Sequence, residues 1–156
     1  MINFDNAATT FPKPEIVNAA VSEAMERYGG NPGRSGHRLS VDTAEAVYVS
    51  RKKAASFFGA EPENVVFTLN CTEALNFAIK GIMNRYGGHI VISDFEHNSV
   101  VRPVFSLSKR GGGYSVAHIY PDDNMTVNSF NNAIRPDTRL IVCTAASNVT
   151  GQIPPI

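Results

Sequence analysis

Excess charge is the first thing missing from these 156 residues: 14 basic and 14 acidic side chains cancel, and charged residues make up only 18% of the chain. Without a basic surplus a dedicated nucleic-acid binder loses its electrostatic footprint, and an apolar share of 43% is too high for a disordered chain. No apolar stretch approaches the ~18 residues that a membrane span needs. Met1-Ile2-Asn3-Phe4-Asp5 has no basic n-region leading into an apolar one. The expectation is a soluble, cytoplasmic protein with no membrane and no nucleic-acid partner. Cysteine is scarce as well. Cys71 and Cys143 cannot build a disulfide framework, neither sits in a C-x-x-C pair, and both read as small buried residues. His37, His89, His97 and His118 lack metal-ligand spacing such as H-x-x-x-H, so no metal site is expected. There is no internal repeat and no low-complexity tract.

What is present is an alternation of helical and strand patterns in a chain of single-domain size. Val17, Ala20, Val21, Ala24 and Tyr28 share one helical face, with Pro14 suited to the first helical position and Gly29-Gly30 as a stop. A Gly-, Arg- and His-rich loop over Asn31 to Leu39 precedes a helix from about Val41 to Phe58. Asp42 and Glu45 resemble a capping box for it, and Gly59 ends it. Val65 to Thr68 reads as a strand, Thr72 as the cap of a helix carrying the stripe Leu75, Ala78, Ile79, Ile82 and Met83, and Gly87-Gly88 as its end. Strands are then expected over His89 to Ser93, Tyr114 to Tyr120 and Leu140 to Thr144, with helices over Val100 to Ser108 and Val127 to Ile134 between them. The runs Ile90-Val91-Ile92 and Leu140-Ile141-Val142 do not alternate, as befits parallel strands covered on both faces. Ligands on such sheets gather at the strand carboxyl ends.

Three segments fall at those ends. Thr68-Leu69-Asn70-Cys71-Thr72-Glu73 joins strand to helix, and the free N–H groups of the helix start with the Thr72 hydroxyl suit an anion such as phosphate. An ordinary capped turn is the competing reading. His97 follows the strand that ends at Ser93, and Ser147-Asn148 and Gln152 follow the strand over Leu140 to Thr144, offering amide donors at the same edge of the sheet. A structural histidine and a turn-forming asparagine are the bland alternatives. Asp5-Asn6-Ala7-Ala8-Thr9-Thr10 and Asn31-Pro32-Gly33-Arg34-Ser35-Gly36-His37 are loops of small and polar residues that let backbone approach a ligand.

Taken together and in order, these segments resemble the cysteine desulfurases and their relatives among the class V, fold-type I enzymes that use pyridoxal 5'-phosphate (PLP). Asp5 to Thr10 looks like the family's opening signature, Asn31 to Leu39 like its N-x-x-R-x-x-H-x-L loop, and Thr68 to Asn76 like its T-x-G-[AT]-T-E-[AS]-x-N phosphate cup. Glu96-His97-Asn98-Ser99 resembles E-H-[HN]-[SA], and Ser147 to Ile153 resembles S-N-V-x-G-x-I.

The resemblance implies an α/β fold: part of a fold-type I large domain, three-layered around a mainly parallel sheet and preceded by an N-terminal helical arm. It divides the chain into an arm, helix and active-site loop over 1–38 and the first part of the PLP-binding domain over 39–156. It implies that Asn70, Cys71 and Thr72 hold the cofactor phosphate, that His97 stacks on the pyridine ring and relays protons, and that Asn148 contacts both cofactor and substrate carboxylate. Ala8 and Thr9 would line the substrate side. The implied reaction turns L-cysteine into L-alanine and passes sulfur to an enzyme cysteine, in a homodimer that serves a sulfur-acceptor protein and iron–sulfur cluster assembly. Two departures stand out. Asn70 replaces the family's glycine in the cup, with asparagine the best non-glycine residue at positive φ. Lys13, Lys52, Lys53, Lys80 and Lys109 are the only lysines, and none follows a histidine as the family's Schiff-base lysine does. The chain is therefore read as the N-terminal part of a longer enzyme, cut before that lysine and inactive by itself. A selenocysteine lyase, epimerase or aminotransferase of the same class, or a non-enzymatic phosphate-binding or assembly module, are the alternatives.

Overall fold

Four of the five described α-helices start where a side chain reaches one of the first unpaired N–H groups. The computed structural model describes residues 2–6, 8–34, 36–109 and 111–155, divided between two units, residues 1–67 and 68–156. In the first unit α1 runs Glu15–Arg27, with Pro14 at its N-cap and no buried residue. Helix α2 runs Arg38–Phe58, three residues longer at its start than the pattern suggests. The His37 ring, and not Asp42, caps it by accepting the Ser40 N–H at 3.3 Å. Gly59 ends α2 at φ 63°, the left-handed conformation that glycine adopts without penalty. A short 3-10 turn, Pro62–Asn64, follows.

Val65 to Thr68 is not a strand. Its β-branched and aromatic residues fit a ladder, but no described strand runs beside them, and a strand without a partner leaves its backbone groups unpaired.

The second unit is an open parallel sheet. Helix α3 (Cys71–Tyr86) leads into β1 (His89–Ser93), then α4 (Asn98–Ser108), β2 (Gly113–Ala117), α5 (Asp123–Ala133) and β3 (Thr138–Val142). Here β2 and β3 end earlier than the apolar runs imply, and α4 and α5 begin earlier, because His97 and Asp122 cap them. Among the described residues the strand order is β2-β1-β3, and both pairs are parallel. The chain steps one way from β1 to β2 and the other way from β2 to β3. Right-handed crossovers therefore place α4 and α5 on opposite faces, giving three layers.

The core forms where the α3 stripe meets the sheet: Ile79 and Met83 pack with Ile90 and Ile92 of β1 and Val100 and Val104 of α4. Each fully buried aliphatic side chain contributes about 1.5–3 kcal/mol. The other face of β1 is tied by a polar residue. His89 is fully buried, its Nδ1 2.9 Å from Thr138 Oγ1 on β3 and its Nε2 3.0 Å from Ser115 Oγ on β2. Burial, and then the Arg135 guanidinium, push its pKa down, so the ring sits neutral between its two hydroxyl partners.

Candidate functional site

Because α3 turns back into β1 through Gly87-Gly88 and packs antiparallel along it, α3 begins at the edge where β1 ends. The Asn70 to Thr72 turn, the His97 loop and the Asn148 loop thus share one edge of the sheet.

At the α3 start Asn70, not Thr72, is the N-cap. Its Oδ1 accepts the Glu73 N–H at 2.9 Å, and the Glu73 carboxylate accepts the Leu69 N–H at 2.7 Å. Asn70 has φ −168°, extended backbone that any residue adopts, so the positive φ expected from the family's glycine is absent here. Asparagine stays at this position as a cap, through its side chain. The Cys71 and Thr72 N–H groups lie among the donors that a helix cannot satisfy itself. Neither they nor the Thr72 hydroxyl has a protein partner among the described residues. This donor set fits a phosphate oxygen, with two N–H groups, one hydroxyl and the helix dipole behind them. Cys71 is exposed, contrary to its reading as a buried residue.

His97 caps α4. Its Nδ1 accepts the Ser99 N–H at 3.2 Å and lies 3.0 Å from Ser99 Oγ. With Nδ1 acting as acceptor, the neutral ring carries its proton on Nε2, and the ring itself is exposed. Asn148 is exposed in a loop closed by local bonds: Ser147 N–H donates to Gln152 O, and Gly151 N–H to Ser147 O, both at 2.9 Å. Gln152, read as a ligand-facing amide, instead donates through Nε2 to Tyr120 O at 2.9 Å and fastens this loop to the exit of β2. Cys143 lies just past β3, half-buried. Burial, and then the nearby Glu96 carboxylate, push its thiol up, which suits an inert residue.

In the first unit Thr9 Oγ1 accepts from Lys13 Nζ at 2.8 Å, and Ala8 is exposed beside it. Asn31 O accepts the buried Ser40 hydroxyl at 2.6 Å, which folds the Asn31 to Leu39 loop onto α2. A Cβ on Gly30 would come within 2.4 Å of the Leu39 carbonyl, so only glycine fits there. Ala7 and Ser35, which belong to the two loop motifs, lie outside the described residues. No cluster of three or more His, Cys, Asp or Glu that could hold a metal ion occurs among the described residues.

Sequence reasoning gave no role to Asp94, or to Glu96 within its motif. Asp94 accepts the Ile119 N–H and lies 3.0 Å from His118 Nδ1, and Glu96 accepts from Ser93 and Thr144. Two acidic residues alternating at a strand exit were the available signal.

The chain superposes on a solved apo structure of a cysteine desulfurase from Thermococcus onnurineus NA1 with TM-score 0.78 and 31% identity, over 93% of this chain and 36% of that one. A structure of SspA in complex with cysteine matches with TM-score 0.79 and 28% identity, over 92% of this chain and 42% of that one. The fold is thus part of a fold-type I PLP-enzyme domain. In sequence the chain is 38% identical to the cysteine desulfurase IscS of Methanosarcina thermophila, over 99% of this chain and 39% of that protein. The chain spans about two-fifths of the length of such curated relatives. The family model for aminotransferase class-V matches residues 2–156, and the chain belongs to that family.

Proposed function

We propose that this chain supplies the cofactor-phosphate cup and the ring-facing histidine of a PLP-dependent cysteine desulfurase acting on L-cysteine. The observation that carries the reading is the shared sheet edge of the α3 start, His97 and Asn148, each in the order of the family's motifs. In this reading residues 1–38 are the arm and active-site loop, and 39–156 begin the cofactor domain. PLP, when bound, supplies an electron sink for charge leaving the substrate's bonds.

The chain's own residues do the rest. The Cys71 and Thr72 N–H groups and the Thr72 hydroxyl hold the phosphate, with Asn70 framing the turn. His97 lays its ring against the pyridine and holds a proton at Nε2, because Nδ1 is committed to Ser99. Asn148, unpartnered in its loop among the described residues, donates its amide to the cofactor oxygen and the substrate carboxylate. Ala8 and Thr9 line the substrate. A second copy and a sulfur-acceptor protein are the proposed partners, in keeping with exposed apolar side chains such as Phe57 and Phe77. No described helix is long and apolar enough to cross a membrane.

The product of the complete gene, purified with PLP and given L-cysteine, is expected to yield alanine and sulfide in equal amounts when a thiol reductant is supplied. A keto acid or racemised amino acid in place of alanine would replace desulfuration with another reaction of the family.

A further inference from the structure

A single carboxylate oxygen joins the two loops that carry His97 and Asn148. Glu96 Oε1 accepts the Ser93 hydroxyl at 2.6 Å and the Thr144 N–H at 2.6 Å. The last paired residues of β1 and β3 are Ile92 and Val142, so this bond lies two residues beyond the ladder, where parallel strands would otherwise separate. Glu96 precedes His97 directly, and Thr144 leads within four residues to Asn148. Thr144 Oγ1 donates to Ala146 O at 3.1 Å, and the far end of the loop is fixed by Gln152 on Tyr120. On the other side of the same turn, Asp94 accepts the Ile119 N–H at 3.0 Å. The β1–α4 turn thus holds the exits of both neighbouring strands, one carboxylate to each.

We propose that Glu96 is a positioning residue, which makes the His97 turn and the Asn148 loop one rigid piece at the cofactor edge. The inference rests on the functional reading above for what those two side chains face. Its physical basis is separate: an ionised acceptor shared by a hydroxyl and a backbone N–H is among the stronger protein hydrogen bonds, and here it is half-buried.

The test uses the 156-residue chain with Glu96→Ala and Glu96→Gln, followed by amide exchange and by NMR titration with PLP. In Glu96→Ala, exchange at Thr144 and through 145–152 rises roughly tenfold or more, the fold-change of one lost charge-assisted bond. The PLP-induced shifts at the Asn148 side-chain amide and the His97 ring shrink together, while those at Cys71 to Glu73 persist. Glu96→Gln restores both, because its side-chain oxygen still accepts from Ser93 and Thr144. If Glu96→Ala leaves the exchange of 144–152 unchanged, or Glu96→Gln behaves like Glu96→Ala, the positioning role is overturned. If the parent chain shows no PLP response at Cys71 to Glu73, the functional reading fails, and the exchange data still decide whether Glu96 couples the loops. Should Glu96→Ala not fold, Ser93→Ala, which removes one donor, is expected to raise exchange at Thr144 by a smaller factor, and no rise would overturn the proposal.

Discussion

Asn70 holds the N–H of Glu73 at 2.9 Å, and in doing so occupies a donor that an anion at the start of α3 would use. The cap and the ligand compete for one group. Replacing Asn70 with Gly keeps most of the cap's stability, since glycine at an N-cap costs only a few tenths of a kcal/mol. It also releases the Glu73 N–H, so phosphate affinity is expected to rise. Asn70→Ala is expected to cost about 1 kcal/mol in urea denaturation. Weaker phosphate binding by Asn70→Gly would show that the asparagine takes part in binding.

Thr72 is exposed and does not cap the helix, so Thr72→Ala removes a hydroxyl donor alone. Stability should change by less than about 0.5 kcal/mol while phosphate or PLP affinity falls. Lys109→Ala is the control, because α4 begins at the edge that carries His97 and Lys109 stands at its opposite end, over the Phe105 ring. An equal loss in both variants would contradict the assignment.

His89 predicts a pH dependence. Its folded pKa lies below its ordinary value, so the unfolded chain takes up a proton where the folded chain does not. The contribution to stability is complete above about pH 6.5, the unfolded value, and is lost as pH falls through that value towards the folded one. Thermal denaturation between pH 5 and 8 should show this slope, and His89→Asn should flatten it. The same slope in both proteins would assign it to another group.

The core makes a separate prediction. Ile79→Ala empties the centre of the α3–β1–α4 contact and is expected to cost about 2–5 kcal/mol by denaturant titration, enough to unfold a marginal unit. A cost below 1 kcal/mol would mean that the contact is not packed as described.

Part of this was legible in the sequence. The Leu75–Met83 stripe became the core face of α3 because an apolar period of 3.6 has one outcome once a sheet lies beside it, and Ile90-Val91-Ile92 became a buried parallel strand for the same reason. Val65 to Thr68 misled because composition reports fitness for a ladder and not the presence of a neighbour. The cap of α3 was misassigned: the segment offers both Asn70 and Thr72, two residues apart, and the helix start at Cys71 makes Asn70 the residue whose oxygen meets the Glu73 N–H. The alternation of Asp94 and Glu96 at a strand exit marks the carboxylates but not the clasp, since the partner of Glu96, Thr144, lies 48 residues away.

The chain's lysines bear on turnover. None of the five follows a histidine, so in the proposed reading a bound cofactor would have neither a covalent tether nor a proton shuttle of the family's kind. The 156-residue chain is expected to release no sulfide from L-cysteine beyond the rate of free PLP. A rate above it would show that another residue does that work.

The most direct measurement is an NMR titration of the 156-residue chain with inorganic phosphate and then with PLP. The account predicts weak, saturable binding, about millimolar or weaker, because a few hydrogen bonds at an exposed site must offset the lost freedom of the ligand. The shifts should centre on the Cys71, Thr72 and Glu73 amides, with His97 and Asn148 responding to PLP and not to phosphate. Shifts near Lys109 with Cys71, Thr72 and Glu73 unmoved would contradict the assignment of this turn as the cofactor cup.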